Sequence, residues 1–119
     1  MRPRNIEIGR RGEEIAANWL VARGMRILER NWRCRDGEVD IVALDSDVVV
    51  LVEVKTRTGP VGGHPFEAIT PRKVARLRRL AVRWCAEYPS AGPRRIRLDA
   101  VAVHLHDDAE QVEHIVGLV

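Results

Sequence analysis

The chain has 119 residues, 45% of them hydrophobic, which is enough for one buried core and suggests no second, so a single domain over residues 1–119 is expected. Twenty Lys and Arg against 17 Asp and Glu give a formal charge of +3 and a pI near 9.4, which favours a polyanionic partner without identifying one. Cys34 and Cys85 lack C-x-x-C spacing, Met1-Arg2-Pro3-Arg4 lacks the apolar core of a signal peptide, and no apolar run reaches membrane-spanning length; neither a disulfide framework nor a zinc cluster is indicated, and a cytoplasmic protein with no membrane partner is expected.

From about Asn5 to Arg23 the apolar positions recur at helical spacing, with Ile15, Trp19 and Ala22 on one line, Ala16 and Leu20 beside it, and Gly24 as the stop. Glu13 falls on the Leu20 side and should face the sheet, whereas Glu14 aligns with Asn18 and should face solvent. The other reading of Glu13 is a first-turn carboxylate favoured by the helix dipole. Met25 to Trp32 reads as a first strand, Cys34-Arg35-Asp36-Gly37 as a turn, and Gly37 to Asp45 as a second strand. Asp45-Ser46-Asp47 then closes an antiparallel hairpin with Val48-Val49-Val50-Leu51-Val52-Glu53-Val54-Lys55-Thr56-Arg57, whose β-branched run suits a central strand. Alternation puts Glu53 and Lys55 on one face and Val52 and Val54 on the other, and the hairpin places Asp40 roughly opposite Glu53.

Gly59-Pro60-Val61-Gly62-Gly63-His64-Pro65 has loop composition, either a flap beside the strand end or a plain connection. Thr70-Pro71 starts a helix that should run to about Tyr88, before Pro89, with Val74, Leu77, Leu80, Ala81, Trp84 and Tyr88 as its apolar face. Arg72, Arg76, Arg79 and Arg83 form a stripe on the opposite side, and Lys73 lies at the edge of the apolar face, where it could approach the sheet end. Arg95 to Leu105 and Val112 to Val116 read as a strand and a short edge strand joined by Asp107-Asp108-Ala109-Glu110. The expected order is αβββαββ, an α/β fold in which the fourth strand pairs parallel to the third within a mixed central β-sheet flanked by helices.

Asp40 followed by Glu53-Val54-Lys55 resembles the D…E-x-K signature of the restriction-endonuclease-like PD-(D/E)xK superfamily, and Gly9-Arg10-Arg11-Gly12-Glu13 resembles the helix-borne glutamate of its Holliday-junction-resolvase branch. Gly12-Glu13, Arg30-Asn31, Gly37-Glu38-Val39-Asp40, Val52-Glu53-Val54-Lys55-Thr56-Arg57, Lys73 and Leu98-Asp99 together are similar to the UPF0102 or YraN-like family, across about residues 9 to 103. The resemblance implies a restriction-endonuclease-like fold and a metal-dependent nuclease site. Junction-cleaving relatives act as dimers, so a homodimer is one arrangement it implies.

Three carboxylates near one strand end repel one another unless a cation compensates them. Mg²⁺ or Mn²⁺ suits oxygen ligands, with Glu13, Asp40, Glu53 and the Val54 backbone carbonyl as the candidate set. Lys55 is placed to stabilise charge building on a phosphate, so Glu13, Asp40, Glu53 and Lys55 form the candidate catalytic group. A structural ion-pair network of Asp40, Lys55 and Glu53 is the competing reading. Glu38 either supports Asp40 or is a solvated turn residue. Arg57, Arg72, Lys73, Arg76, Arg79 and Arg83 are candidate phosphate contacts, with a solvated basic face as the alternative. His64, His104, His106 and His114 show no ligand spacing and are expected at the surface; Asp99, beside Arg95 and Arg97, is expected in a salt bridge; both cysteines are expected to pack. The leading function is a metal-dependent endonuclease on DNA, with branched or structured forms implied by the resolvase resemblance and RNA left open. The alternative is a non-catalytic nucleic-acid-binding module in DNA repair or uptake.

Overall fold

The computed structural model describes residues 2–59, 66, 69–88, 95–106 and 108–118, with side chains from residue 6 onward. Its elements are α1 (Arg2–Ala22), β1 (Arg26–Cys34), β2 (Gly37–Asp45), β3 (Val48–Thr58), α2 (Pro71–Glu87), β4 (Arg95–His106) and β5 (Ala109–Ile115). The five strands form one sheet in the order β1-β2-β3-β4-β5. β3 and β4 run parallel and the other neighbours antiparallel, which is the mixed αβββαββ arrangement expected of a restriction-endonuclease-like fold. Most of the expected loop after Gly59 lies outside the described residues.

The consecutive apolar residues of β3 follow from its having a helix on each face. Val49 and Leu51 pack with Val74, Leu77, Leu80 and Trp84 of α2, whereas Val50 and Val52 pack with Ala16, Ala17 and Leu20 of α1. α2 begins as its sequence dictates: the Thr70 hydroxyl accepts from the Lys73 N–H at 3.2 Å and Pro71 occupies the first turn, where its missing N–H costs nothing. Three boundaries differ from the sequence expectation. α1 starts earlier, since Pro3 is tolerated in a first turn; β1 runs on to Cys34, which pairs with Gly37; and Ala109 and Glu110 belong to β5. Cys34 and Cys85 pack against the α2-side core as expected, and burial pushes the Cys85 thiol upward.

A buried ionic network secures the carboxyl-terminal segment. Asp99 is fully buried and accepts from Arg97 Nε at 2.9 Å, Arg97 Nη2 at 3.0 Å, His114 at 2.8 Å and the Gly117 N–H at 3.0 Å. Arg97 also reaches Asp45 at 3.0 Å, joining β2 to the network. The expected Asp99–Arg97 salt bridge is present. His114 is not a surface residue, because β5 pairs Val101 with His114 and carries the imidazole over the buried carboxylate, leaving its side chain 7% exposed.

Gly12 is set by the approach of α1 to β3. A Cβ there would overlap Thr56 Oγ1 and crowd Thr56 Cβ and Cγ2. Gly12→Ala should therefore destabilise the protein by about 1–3 kcal/mol in chemical denaturation, and adding Thr56→Ala should recover part of the loss. An unchanged denaturation midpoint in Gly12→Ala would show that the helix has room to shift.

Candidate active site

The site begins where β2 and β3 separate. Their ladder runs from Asp45↔Val48 to Ile41↔Val52 and ends there, one step before Asp40 would face Glu53. The Val54 N–H donates instead to Asp40 Oδ2 at 2.8 Å. β3 continues beyond this point on its parallel pairing with β4, which extends to Thr58↔Leu105. The half of β3 that carries Glu53, Val54, Lys55 and Thr56 thus has a strand on one side and the Asp40 carboxylate on the other.

β1 shows a matching irregularity. Arg30 pairs with Ile41 and Trp32 with Val39, while Asn31 between them takes φ +53°, a left-handed conformation that Asn adopts more readily than most residues. Ile41 packs on the α1 side and Val39 on the α2 side, although they are two residues apart and should share a face. Alternation inverts at the Asn31–Asp40 step, so Asp40 stands at a twist in its strand. Nothing in the hydrophobic pattern marks Asn31; its one signal is the Arg30-Asn31 pair within the family-like run.

Burial is the main cause that raises Asp40 from 3.8 to about 7. The Val54 N–H opposes it, and the charges of Glu53, Glu13 and Glu38 add to it in that order. Glu53 and Lys55 share a face, as alternation requires, with Lys55 Nζ 3.4 Å from Glu53 Oε2. Lys73 of α2 is lowered chiefly by the neighbouring Lys55 ammonium, so Lys73 does approach the sheet end. Glu13 sits on the other side of β3, lining a cleft with Val54 and Thr56. It lies mid-helix, beyond the first turn of α1, which removes the helix-dipole explanation. Glu13 and Glu53 therefore approach Asp40 from opposite faces, and among the described residues no three His, Cys, Asp or Glu side chains are gathered so as to hold a metal ion. Glu38 is exposed, pairs with Arg33 at 2.9 Å, and is the weakest of Asp40's carboxylate neighbours.

The arginine stripe is less uniform than its spacing suggests. Arg72 and Arg79 are exposed, as is Arg78, which the stripe leaves out. Arg83 is held by Glu87 at 3.1 Å and Asp36 at 3.0 Å. Arg76 turns inward over Gly37, and its Nε has no hydrogen-bond partner among the described residues. Arg57 is exposed at the end of β3 beside Glu13's cleft.

The profile of the Uncharacterised protein family UPF0102 matches residues 12–103, a span that contains Glu13, Asp40, Glu53 and Lys55. The chain belongs to this family. A UPF0102 protein of Arthrobacter sp. is 54% identical over 120 residues, covering 99% of each chain. UPF0102 relatives from Beutenbergia cavernae, 53% identical over 93% of this chain and 94% of their own, and Streptomyces coelicolor, 52% identical over 93% and 87%, match as broadly. The match runs from Gly12, which seats α1 on β3, to Val103 of β4, so UPF0102 membership covers the strand parting and the carboxylates around it.

The raised Asp40 pKa has a definite sign. The folded state favours the protonated carboxyl, so this group's contribution is fully present below about 3.8 and is lost as pH rises through about 7. Asp40→Asn keeps the shape and an oxygen acceptor for Val54 without the charge. Above pH 7 the variant should exceed the parent in stability by at most about 4 kcal/mol, with the gap closing toward pH 4. Thermal unfolding of both proteins across that range measures it, and a constant difference would mean Asp40 titrates normally.

Proposed function

We propose that this protein is a metal-dependent endonuclease that hydrolyses phosphodiester bonds in DNA, with branched or otherwise structured DNA as its preferred class. The observation that carries this reading is Asp40, a shielded carboxylate with one N–H partner and three further carboxylates, Glu53, Glu13 and Glu38, close enough to raise its pKa. A bound cation would relieve that repulsion, and an all-oxygen donor set suits Mg²⁺ or Mn²⁺. Asp40 and Glu53 would hold the ion, with Glu13 and the Val54 carbonyl as further donors. When bound, such an ion activates water and offsets charge on the phosphate. Lys55 supplies the chain's own electrostatic contribution, a compact ammonium beside Glu53 that can donate to a phosphate oxygen as charge builds in the transition state. Arg57, Arg72 and Arg79 are the exposed cations that would meet flanking phosphates.

The placement of Glu13 and Glu53 on opposite faces favours a second reading, a module that binds nucleic acid without cutting it. Calorimetry and single-turnover cleavage separate the two. Mn²⁺ should bind the parent and bind Asp40→Ala and Glu53→Ala at least about tenfold more weakly. Lys55→Ala should keep metal and DNA affinity while cleavage of linear, flapped, single-stranded or four-way DNA drops about a hundredfold or more. A parent that binds DNA but cuts none of these with Mg²⁺ or Mn²⁺ belongs to the second reading.

Salt dependence tests the arginines. Arg72→Gln with Arg79→Gln should weaken DNA binding at every sequence and flatten the log affinity against log salt slope by about 1–2 units. Arg83→Gln should change the slope little, because its guanidinium is already engaged by Glu87 and Asp36. Equal effects from all three substitutions would return the helix to an undifferentiated basic face.

A further inference from the structure

Gly9 and Gly12 of α1 have opposite surroundings. Gly12 is closed off by Thr56, whereas a Cβ on Gly9 would meet nothing within 4 Å. Gly9 lies in the interior of α1, where glycine is less stable than alanine and no neighbouring atom requires it. Its position is nevertheless particular. Gly9 and Glu13 stand one helical turn apart on one stripe, and both line each of two clefts flanking that stripe. One cleft, of about 640 Å³, is walled by Ile6, Arg10, Asn31, Arg33 and Glu38. The other, of about 420 Å³, is walled by Ile8, Val54, Thr56 and Arg57. The Gly9–Glu13 stripe is the saddle between them, and any side chain at position 9 would stand on it.

Each cleft offers an isoleucine side chain as an apolar surface for a base, and Arg10 and Arg57 are the cations for a phosphate, since Arg33 is already paired with Glu38. Volumes of this order are those of nucleotide-sized ligands. Resting on the reading that Glu13 belongs to a nuclease site, we infer that a single strand of nucleic acid crosses α1 over Gly9, with its backbone on the saddle beside Glu13 and its bases in the flanking clefts. The missing side chain at Gly9 determines which substrate passes. A free end, flap or unpaired arm reaches the carboxylates this way, and an uninterrupted duplex does not.

Helix propensity and substrate access make opposite demands at this position, and that opposition supplies the test. Thermal unfolding and fluorescence anisotropy with a labelled oligothymidylate of about 15 nucleotides, and with a duplex of equal length, would compare the parent with Gly9→Ala, Gly9→Leu and Asn18→Ala. Asn18 lies on the exposed face of α1 and serves as the control. Gly9→Ala should unfold a few degrees higher than the parent yet bind the single strand about threefold more weakly. Gly9→Leu should lose about tenfold or more, and Asn18→Ala should gain stability with affinity unchanged. Parental affinity in a folded Gly9→Leu overturns the saddle path, while cleavage by the parent would leave the nuclease reading standing. If Gly9→Leu does not fold, Gly9→Ala decides, and undiminished binding by it overturns the path. Binding of the duplex alone overturns the single-strand assignment. A folded parent that binds neither probe overturns this inference, and cleavage of flapped or four-way DNA then decides separately the function on which it rests.

Discussion

Val54 donates its backbone N–H to a side chain, Asp40 Oδ2 at 2.8 Å, at the step where the β2–β3 ladder ends. A strand N–H left without a partner in a shielded position would carry a desolvation cost, so β2 and β3 can part here because Asp40 replaces the missing carbonyl. The rest of the site depends on this exchange. Once the strands part, Glu53 and Lys55 extend past the ladder on the α2 side, and Val54 and Thr56 receive α1 on the other. Close seating at Gly12 then fixes where Glu13 stands relative to Thr56. A carboxylate that satisfies one backbone donor thereby brings two more carboxylates and an ammonium into its own neighbourhood.

What could be read from the residues follows the range of the forces involved. The apolar run of β3, the Thr70-Pro71 start of α2 and the faces of Glu53 and Lys55 are local consequences of periodicity and capping, and they stand in the structure. The register that brings Asp40 to the Glu53 level was also legible, because a short turn between two strands leaves little freedom in pairing. The inversion at Asn31 was not, since one left-handed residue within a strand changes no hydrophobic pattern, and neither was the register shift between Ile27 and Glu29 of the same strand. Partners distant in sequence were equally hidden. Arg83 shows only Glu87, four residues on, as a partner along its helix and is also taken by Asp36 from the β1–β2 turn, and His114 looks exposed on an edge strand until Asp99 is found beneath it.

The split of the carboxylates over two faces bears on how such a site would work. Glu53 is tied to Lys55, and through it to α2, whereas Glu13 belongs to α1 and its clefts. A ligand that engages both must span the edge of β3 at which Asp40 meets the Val54 N–H.

Asp99 shows that the fold can satisfy a buried carboxylate when it only has to be held, and Asp40 makes the contrast. Asp99 is fully buried and receives two bonds from one guanidinium, one from an imidazole and one from a backbone N–H. Asp40, less buried, receives one, and the charges of Glu53, Glu13 and Glu38 raise its pKa further. An arginine beside Asp40 would relieve the repulsion, as Arg97 does for Asp99, and the chain has 20 Lys and Arg to draw on. Instead Lys55 is matched to Glu53, and Asp40 keeps a pKa near neutrality, at a cost to stability that increases as the carboxyl ionises. A charge deficit kept at one carboxylate while another is fully compensated is what a site awaiting a cation requires. The support for a metal-dependent reading lies in that difference, more than in the E-x-K pair, because the pair alone is equally compatible with an ordinary salt bridge.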